Sequence, residues 1–226
     1  MFSDTLIKLF TSGEMLEGIW ATVYMTLFST LCAYLLGLPL GILLFVTKDK
    51  GLWQQKALNR ILGFIINLLR SIPFIILTFA VFPLARFIAG TSLGNGAMTV
   101  TLVIGATPYV ARMVESSLLE IDGGVIEAAE SMGASTFQII LKVLLPEAKP
   151  SLINGAVISA ITVLGYSAMA STIGGGGLGA IAYTFGYQGF KDDIVWVCVA
   201  FTVIIVQLIQ VGGGIITKKS DKRIKK

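Results

Sequence analysis

Apolar residues run along this chain in long, nearly unbroken stretches, and charge interrupts them at only a few places. Runs long enough to cross about 30 Å of hydrocarbon as a helix fall near residues 19–46, 61–82, 97–118, 151–173 and 194–216. Apolar and polar residues do not alternate within them, so the pattern predicts helices rather than the strands of a closed barrel. The expected fold is an all-α integral membrane protein with five transmembrane helices.

One interruption is too long and too charged to lie in a bilayer. Between the third and fourth runs, residues 120–149 carry Glu120, Asp122, Glu127, Glu130, Lys142, Glu147 and Lys149. Residues 125–132 are good helix formers. Asp122 stands where a cap belongs, Glu127 lies near the positive end of the dipole, and Gly133 falls where a left-handed residue ends a helix. The spacing predicts a short helix of about two turns. Ser135, with Gln138 three residues on, forms a capping-box pattern for a second helix that leads back to the membrane through Pro146 and Pro150. Val125, Ile126, Ala129 and Met132 recur at helical spacing on one side of the short helix, while Glu127 and Glu130 point elsewhere. Such a face must bury against something. Pattern alone leaves two choices: the ends of the protein's own spans, or a partner.

Composition agrees with the membrane reading. Of 226 residues, 55% are hydrophobic and 13% charged, against about 25% charged in a soluble domain, and the mean hydropathy is +0.84. The net charge of +4 matters less than where the charges fall. Placing 120–149 inside the cell also places Lys48, Lys50, Lys56, Arg60, Arg112, Lys142, Lys149 and the tail residues Lys218, Lys219, Lys222, Arg223, Lys225 and Lys226 inside. Lys8, Arg86 and Lys191 remain outside. The positive-inside rule then sets the N-terminus out and the C-terminus in. Residues 1–18 are expected as an external segment, 19–217 as the membrane domain and 218–226 as a basic cytoplasmic tail. The tail fits a solvated cluster facing anionic lipid heads better than a nucleic-acid site.

Several function classes drop out. The chain has no histidine, which excludes histidine-based metal sites and general bases. Cys32 and Cys198 fall inside spans, where they read as small packing residues. The first 18 residues lack a basic start followed by an apolar core, so span one is expected to be retained. No G-x-x-x-x-G-K-[ST] occurs. No acidic residue falls at mid-span, which disfavours ion-coupled transport. The turn Gly174-Gly-Gly-Gly-Leu-Gly179 satisfies G-x-G-x-x-G, but a membrane helix precedes it rather than a strand. It reads as a flexible outer loop.

Other features stay open at the level of residues. Trp20 and Tyr24 suit an outer interface, while Gly37, Pro39 and Gly41 suit close packing or a kink. Arg70 and Pro73 interrupt the second run. Either residues 57–69 form an interfacial helix with the span beginning at Ser71, or the span begins near Arg60 and Arg70 lies within the bundle. Arg112 and Glu115 form an i,i+3 pair that reads as trimming a helix end. In the fourth run, Tyr166, Ser167, Met169 and Thr172 offer hydrogen bonds and a thioether, for packing or for a pathway.

Glu127-Ala128-Ala129, Gly133 and Val143-x-Leu145-Pro146 together resemble the EAA signature of type I ABC importer permeases, with Val143 where that family usually has isoleucine. Arg70-Ser71-Ile-Pro73-Phe resembles an element of amino-acid importer permeases, which favours the second placement of Arg70. Ala111 to Glu115 and Gly165-Tyr-Ser-Ala-Met169 resemble methionine importer permeases. The resemblance covers about residues 17–216 and implies the type I permease fold, in which the 120–149 loop is a cytoplasmic coupling helix seated in an ATPase. It implies ATPase coupling through Val125, Ile126, Glu127, Ala128, Ala129, Met132, Gly133, Leu145 and Pro146, and a translocation path past Arg70, Ser71, Pro73, Tyr166, Ser167 and Met169. Glu127 is expected to hold the loop, through a cap or an ion pair with the partner. The implied partners are a second copy of the chain, two cytoplasmic ATPase subunits, an external substrate-binding protein and membrane lipid, with no nucleic acid. The chain itself is expected to hold no cofactor and to catalyse nothing, ATP and Mg²⁺ being bound by the ATPase. The expected location is the bacterial inner membrane.

Overall fold

A computed structural model describes residues 4–220 of the chain, so Lys222, Arg223, Lys225 and Lys226 of the basic tail lie outside the described residues. Helices account for nearly all of it, and no strand occurs among the described residues. A short amphipathic α1 (Asp4–Thr11) precedes α2 (Glu14–Thr47), which begins ahead of the span boundary expected at 19. There follow α3 (Lys56–Ser71), α4 (Phe74–Ala89), α5 (Asn95–Leu119), α6 (Gly123–Ser131), α7 (Thr136–Ile139), α8 (Leu145–Thr172), α9 (Leu178–Ile181) and α10 (Asp192–Ser220). Four runs are long and apolar enough to cross a membrane: Glu14–Thr47, Asn95–Leu119, Thr136–Ser171 and Asp192–Ser220. A fifth is obtained when α3 and α4 count together as one broken span.

That break falls where the sequence left two placements open. The apolar run near 61–82 is not one helix: α3 and α4 meet at an angle of 110°. Pro73 causes it. Proline disfavours helical backbone at the preceding residue and supplies no N–H, and here it stands as the N-cap of α4 with φ −54° and ψ 135°.

The opposite happens at Pro146. In a regular helix its ring would press on the carbonyl of Lys142, four residues earlier. Residues Ile140–Leu144 form a π-helical turn instead, in which the Leu145 N–H donates to the Ile140 carbonyl. The wider turn relieves the clash, and the helix runs on into α8.

The chain divides into two compact units. One gathers Met1–Cys32, Ile72–Ala106 and Ala160–Gln210; the other gathers Ala33–Ser71, Thr107–Ser159 and Val211–Lys226. The core of the first is built from Leu6, Leu9, Met15, Leu164, Leu178, Ile181, Ile194 and Cys198. In the second, Leu44, Ile66 and Ala111 join α2, α3 and α5. Helices in hydrocarbon gain little from the hydrophobic effect and associate through close contact and hydrogen bonds. Gly41 shows the closeness, because a Cβ there would lie 2.5 Å from the Ala111 carbonyl oxygen.

The glycine-rich turn of the first unit is not a loose loop. The Gly176 N–H donates to Asn95 Oδ1 at 2.7 Å, the Leu178 N–H donates to Thr22 Oγ1 at 2.9 Å, and the Gly94 N–H donates to the Gly174 carbonyl at 2.7 Å. Gly177 adopts φ +100°, a conformation that a side chain resists. The glycines there serve close approach and a sharp turn, and α9 follows directly, continued by a π-helical segment from Ala182 to Tyr187. The flexible outer loop expected at 174–179 is instead a turn bonded to α2 and α5.

Candidate functional site

The segment between α5 and α8 is held by its own local chemistry. Asp122 caps α6, its side chain accepting the Gly124 N–H at 2.7 Å. Gly133 takes φ +79° after the helix ends, and its N–H returns to the Glu130 carbonyl at 2.8 Å. Ser135 and Gln138 form the expected capping box: Ser135 Oγ accepts the Gln138 N–H, and Gln138 Oε1 accepts the Ser135 N–H at 2.9 Å. Each cap supplies a partner to a backbone N–H that the helix cannot satisfy. The elbow is therefore fixed without help from distant parts of the chain.

The four apolar positions 125, 126, 129 and 132 share one face about 120° wide, but they are not equally covered. Ala129 is buried, with 4% of its surface exposed, and Ile126 is half-buried. Val125 and Met132 are exposed at 43% and 81%. At 100° per residue the four fall around the helix in the order Met132, Val125, Ala129, Ile126, so the bare pair forms one edge of the face and the covered pair the other. One edge of the face packs on the chain itself and the other stays bare. Glu127, Ala128 and Pro146 are exposed and Leu145 is half-buried. The cap expected of Glu127 comes from Asp122, which leaves the Glu127 carboxylate free to face outward.

The residues assigned to a pathway do not form one cluster. Arg70, Ser71 and Pro73 are exposed around the break between α3 and α4, and Arg70 is not enclosed by its own chain. Ser71 Oγ donates to the Asn67 carbonyl at 2.8 Å. Tyr166 of α8 stacks on Phe74, the first residue of α4, with ring centroids 4.6 Å apart and planes 2° from parallel. That contact holds the start of α4, and neither Phe74 nor the stack was foreseen. Aromatic spacing gave no signal, because 92 residues separate the pair. Met169 is exposed at 51%. Ser167 is 1% exposed and donates to the Leu164 carbonyl of its own helix at 2.8 Å, so it packs rather than lines a path.

Arg112 makes the expected pair with Glu115 and reaches further. Besides the bond from its Nη1 to Glu115 Oε2 at 2.6 Å, its Nη2 donates to the Gly63 carbonyl at 3.3 Å and to Asn67 Oδ1 at 3.1 Å. It joins α5 to α3. Outside the spans, Lys56 lies 3.0 Å from Asp49 in the turn after α2 and holds that carboxyl below its usual range. Among the described residues no group of three or more Cys, Asp or Glu side chains could hold a metal. The segment between α5 and α8 combines self-capped ends with a bare apolar edge at Val125 and Met132.

The chain is similar to known proteins over most of its length. The family described as binding-protein-dependent transport system inner membrane component matches residues 33–226. A Vibrio cholerae protein named a probable D-methionine transport system permease is 44% identical over 212 residues, covering 94% of each chain. A methionine import system permease of Bacillus subtilis is 49% identical over 181 residues, covering 80% of this chain and 82% of that one. Among solved structures, a chain of an inward facing methionine ABC transporter is 43% identical, covers 98% of this chain and 100% of its own, and superposes with a TM-score of 0.92. A chain of an amino acid ABC transporter, 18% identical with a TM-score of 0.78, shares the fold.

Proposed function

This chain belongs to the binding-protein-dependent transport system inner membrane components, and from that premise we propose that it is the permease subunit of an ATP-driven methionine importer. It is a multi-pass inner membrane protein. The observation that carries the substrate is the likeness along nearly the whole chain to the permease chain of a methionine ABC transporter.

Physical chemistry supplies the mechanism. The chain contains no phosphate-cradling loop and no mid-span carboxylate, so the energy enters from a partner ATPase that binds ATP and Mg²⁺. The bare strip of Val125 and Met132, with the exposed Glu127, seats α6 in that partner. Nucleotide binding draws two ATPases together and moves α6. The caps at Asp122 and Ser135 and the elbow at Gly133 turn this movement into reorientation of α5 and α8. Leu145 and Pro146 continue the lever into α8. Two copies of the permease enclose the path, because one chain offers too few spans to surround it. An external binding protein delivers the substrate. The distribution of Lys and Arg sets residues 1–18 outside, 19–217 as the permease domain, and 218–226 in the cytoplasm. Arg70, Ser71 and Pro73 at the broken span, with Tyr166 and Met169, border the path.

The test is uptake of labelled L-methionine into vesicles holding the permease, its ATPase and its binding protein, with and without ATP on the ATPase side. ATP-dependent uptake that disappears with Glu127→Gly is the expected result. ATP hydrolysis without methionine uptake overturns the substrate, and uptake indifferent to ATP overturns the coupling.

A further inference from the structure

The Arg112 cluster has a geometry that packing alone does not require. Arg112 lies on α5, the helix that ends at Leu119 just before the Asp122 cap of α6. From Arg112 to Leu119 is about 10 Å along a helix axis. Its guanidinium reaches across to α3, which ends at Ser71 beside the break before Pro73. One side chain thus bonds to the element that leads to the lever and to the element that leads to the broken span.

The residues that receive it are out of character with their surroundings. Asn67 is a polar residue within the apolar stretch Gly63-Phe-Ile-Ile-Asn-Leu-Leu. Gly63 leaves its carbonyl open to approach, since a Cβ there would lie 3.3 Å from Arg112 Nη2. Glu115 neutralises the arginine and fixes the direction of its fork, with the two side chains 26% and 15% exposed. A guanidinium offers several donors in a rigid plane, so one group can hold two helices at a fixed separation and rotation. Apolar contacts among Leu62, Ile66 and Ala111 hold the same helices together without fixing their register.

We propose that Arg112 is a positioning residue that carries the movement of α6, received through α5, into α3 and so to the break at Ser71 to Pro73. This rests on the coupling role of α6 proposed above. Glu115 holds the guanidinium in place, while Gly63 and Asn67 receive it. Without the clamp, α5 slides past α3 and ATP hydrolysis no longer drives transport.

The test uses the full complex of permease, ATPase and binding protein in vesicles. Arg112→Gln should lower substrate moved per ATP hydrolysed by about tenfold and Asn67→Ala by about threefold, the range that coupling changes of this kind produce. Arg112→Lys should restore part of the loss, because an ammonium reaches one acceptor at a time. Spin labels at Ser131 on α6 and at Leu68 on α3, each measured against a label at Leu36 on α2, supply the second readout. On trapping with nucleotide, both distances should change in the otherwise unaltered complex, and only the Ser131 distance should change with Arg112→Gln. Should Arg112→Gln fail to assemble, Asn67→Ala carries the same comparison without disturbing the charged pair. Equal changes with and without the substitution, or uptake and hydrolysis falling in proportion, overturn the proposal and leave the coupling role of α6 standing. No response at Ser131 in the unaltered complex overturns both.

Discussion

The α6 segment and the glycine-rich turn at 174–179 both interrupt long apolar helices, yet they are built to opposite ends. The first closes its backbone bonds locally, through Asp122, Ser135 and Gln138, and leaves Val125 and Met132 bare. The second closes its bonds against α2 and α5, through Thr22 and Asn95, and has little room for added atoms. A segment that satisfies itself can move as a body and offer a surface. One whose N–H groups at Gly176 and Leu178 are bonded to α5 and α2 cannot move without breaking those bonds.

The largest expected effect tests the filled side of that contrast. At Gly179 a Cβ would stand 2.6 Å from the Ala168 carbonyl oxygen and 2.9 Å from Ala168 Cα. Gly179→Val should therefore cost at least about 1–3 kcal/mol through overpacking against backbone. Thermal unfolding in detergent should show a large drop in melting temperature and a poor yield of folded protein.

Met132→Asp probes the bare side. It should leave the melting temperature nearly unchanged, within about 0.5 kcal/mol as for surface sites, and should remove co-purification of the ATPase. If Met132→Asp destabilised the permease alone as much as Gly179→Val, the contrast between the two segments would collapse.

In stability, Ser135→Ala falls between them. Loss of the capping box should cost about 1 kcal/mol, read as a modest fall in melting temperature, with coupling weakened as the elbow loosens.

The smallest effect concerns the turn after α2. Asp49 is held below its usual range first by its bond to Lys56, opposed by slight desolvation, and aided by the Lys56 charge and bonds from Lys50 and Gln54. A carboxyl with a lowered folded pKa adds stability above its unfolded pKa and loses it as pH falls through the folded value. Asp49→Asn should flatten that acid-side decline slightly. Because the pair is exposed, 0.5 M salt should mask the difference.

Much of the fold was legible because its signals are local. Length and hydropathy located the spans, and the caps at Asp122, Gly133 and Ser135 could be named from residue type and spacing, since a cap needs only a few neighbouring residues. The break at Pro73 was half-legible: proline announced an interruption, but whether the helix ends or runs on depends on the adjoining turn. Pro146 makes the point, for there a π-helical turn carries the helix through.

The site was less legible for the same physical reason. The partners of a polar group inside a membrane protein cannot be read from residue type alone. Ser167 turned out to bond its own backbone, and Arg112 reached α3, 49 residues earlier in the chain at Gly63.

The sequence by itself determined that this chain spans a membrane and that it carries a self-capped helix between two of its apolar runs. These follow from hydropathy and capping, which are read from neighbouring residues along the chain. Only the tertiary structure decided that the glycine turn is filled, that α6 splits its apolar residues between an inner and an outer strip, and that Arg112 binds two helices. Those depend on which surfaces meet, and contact between residues far apart in sequence is set by packing in three dimensions.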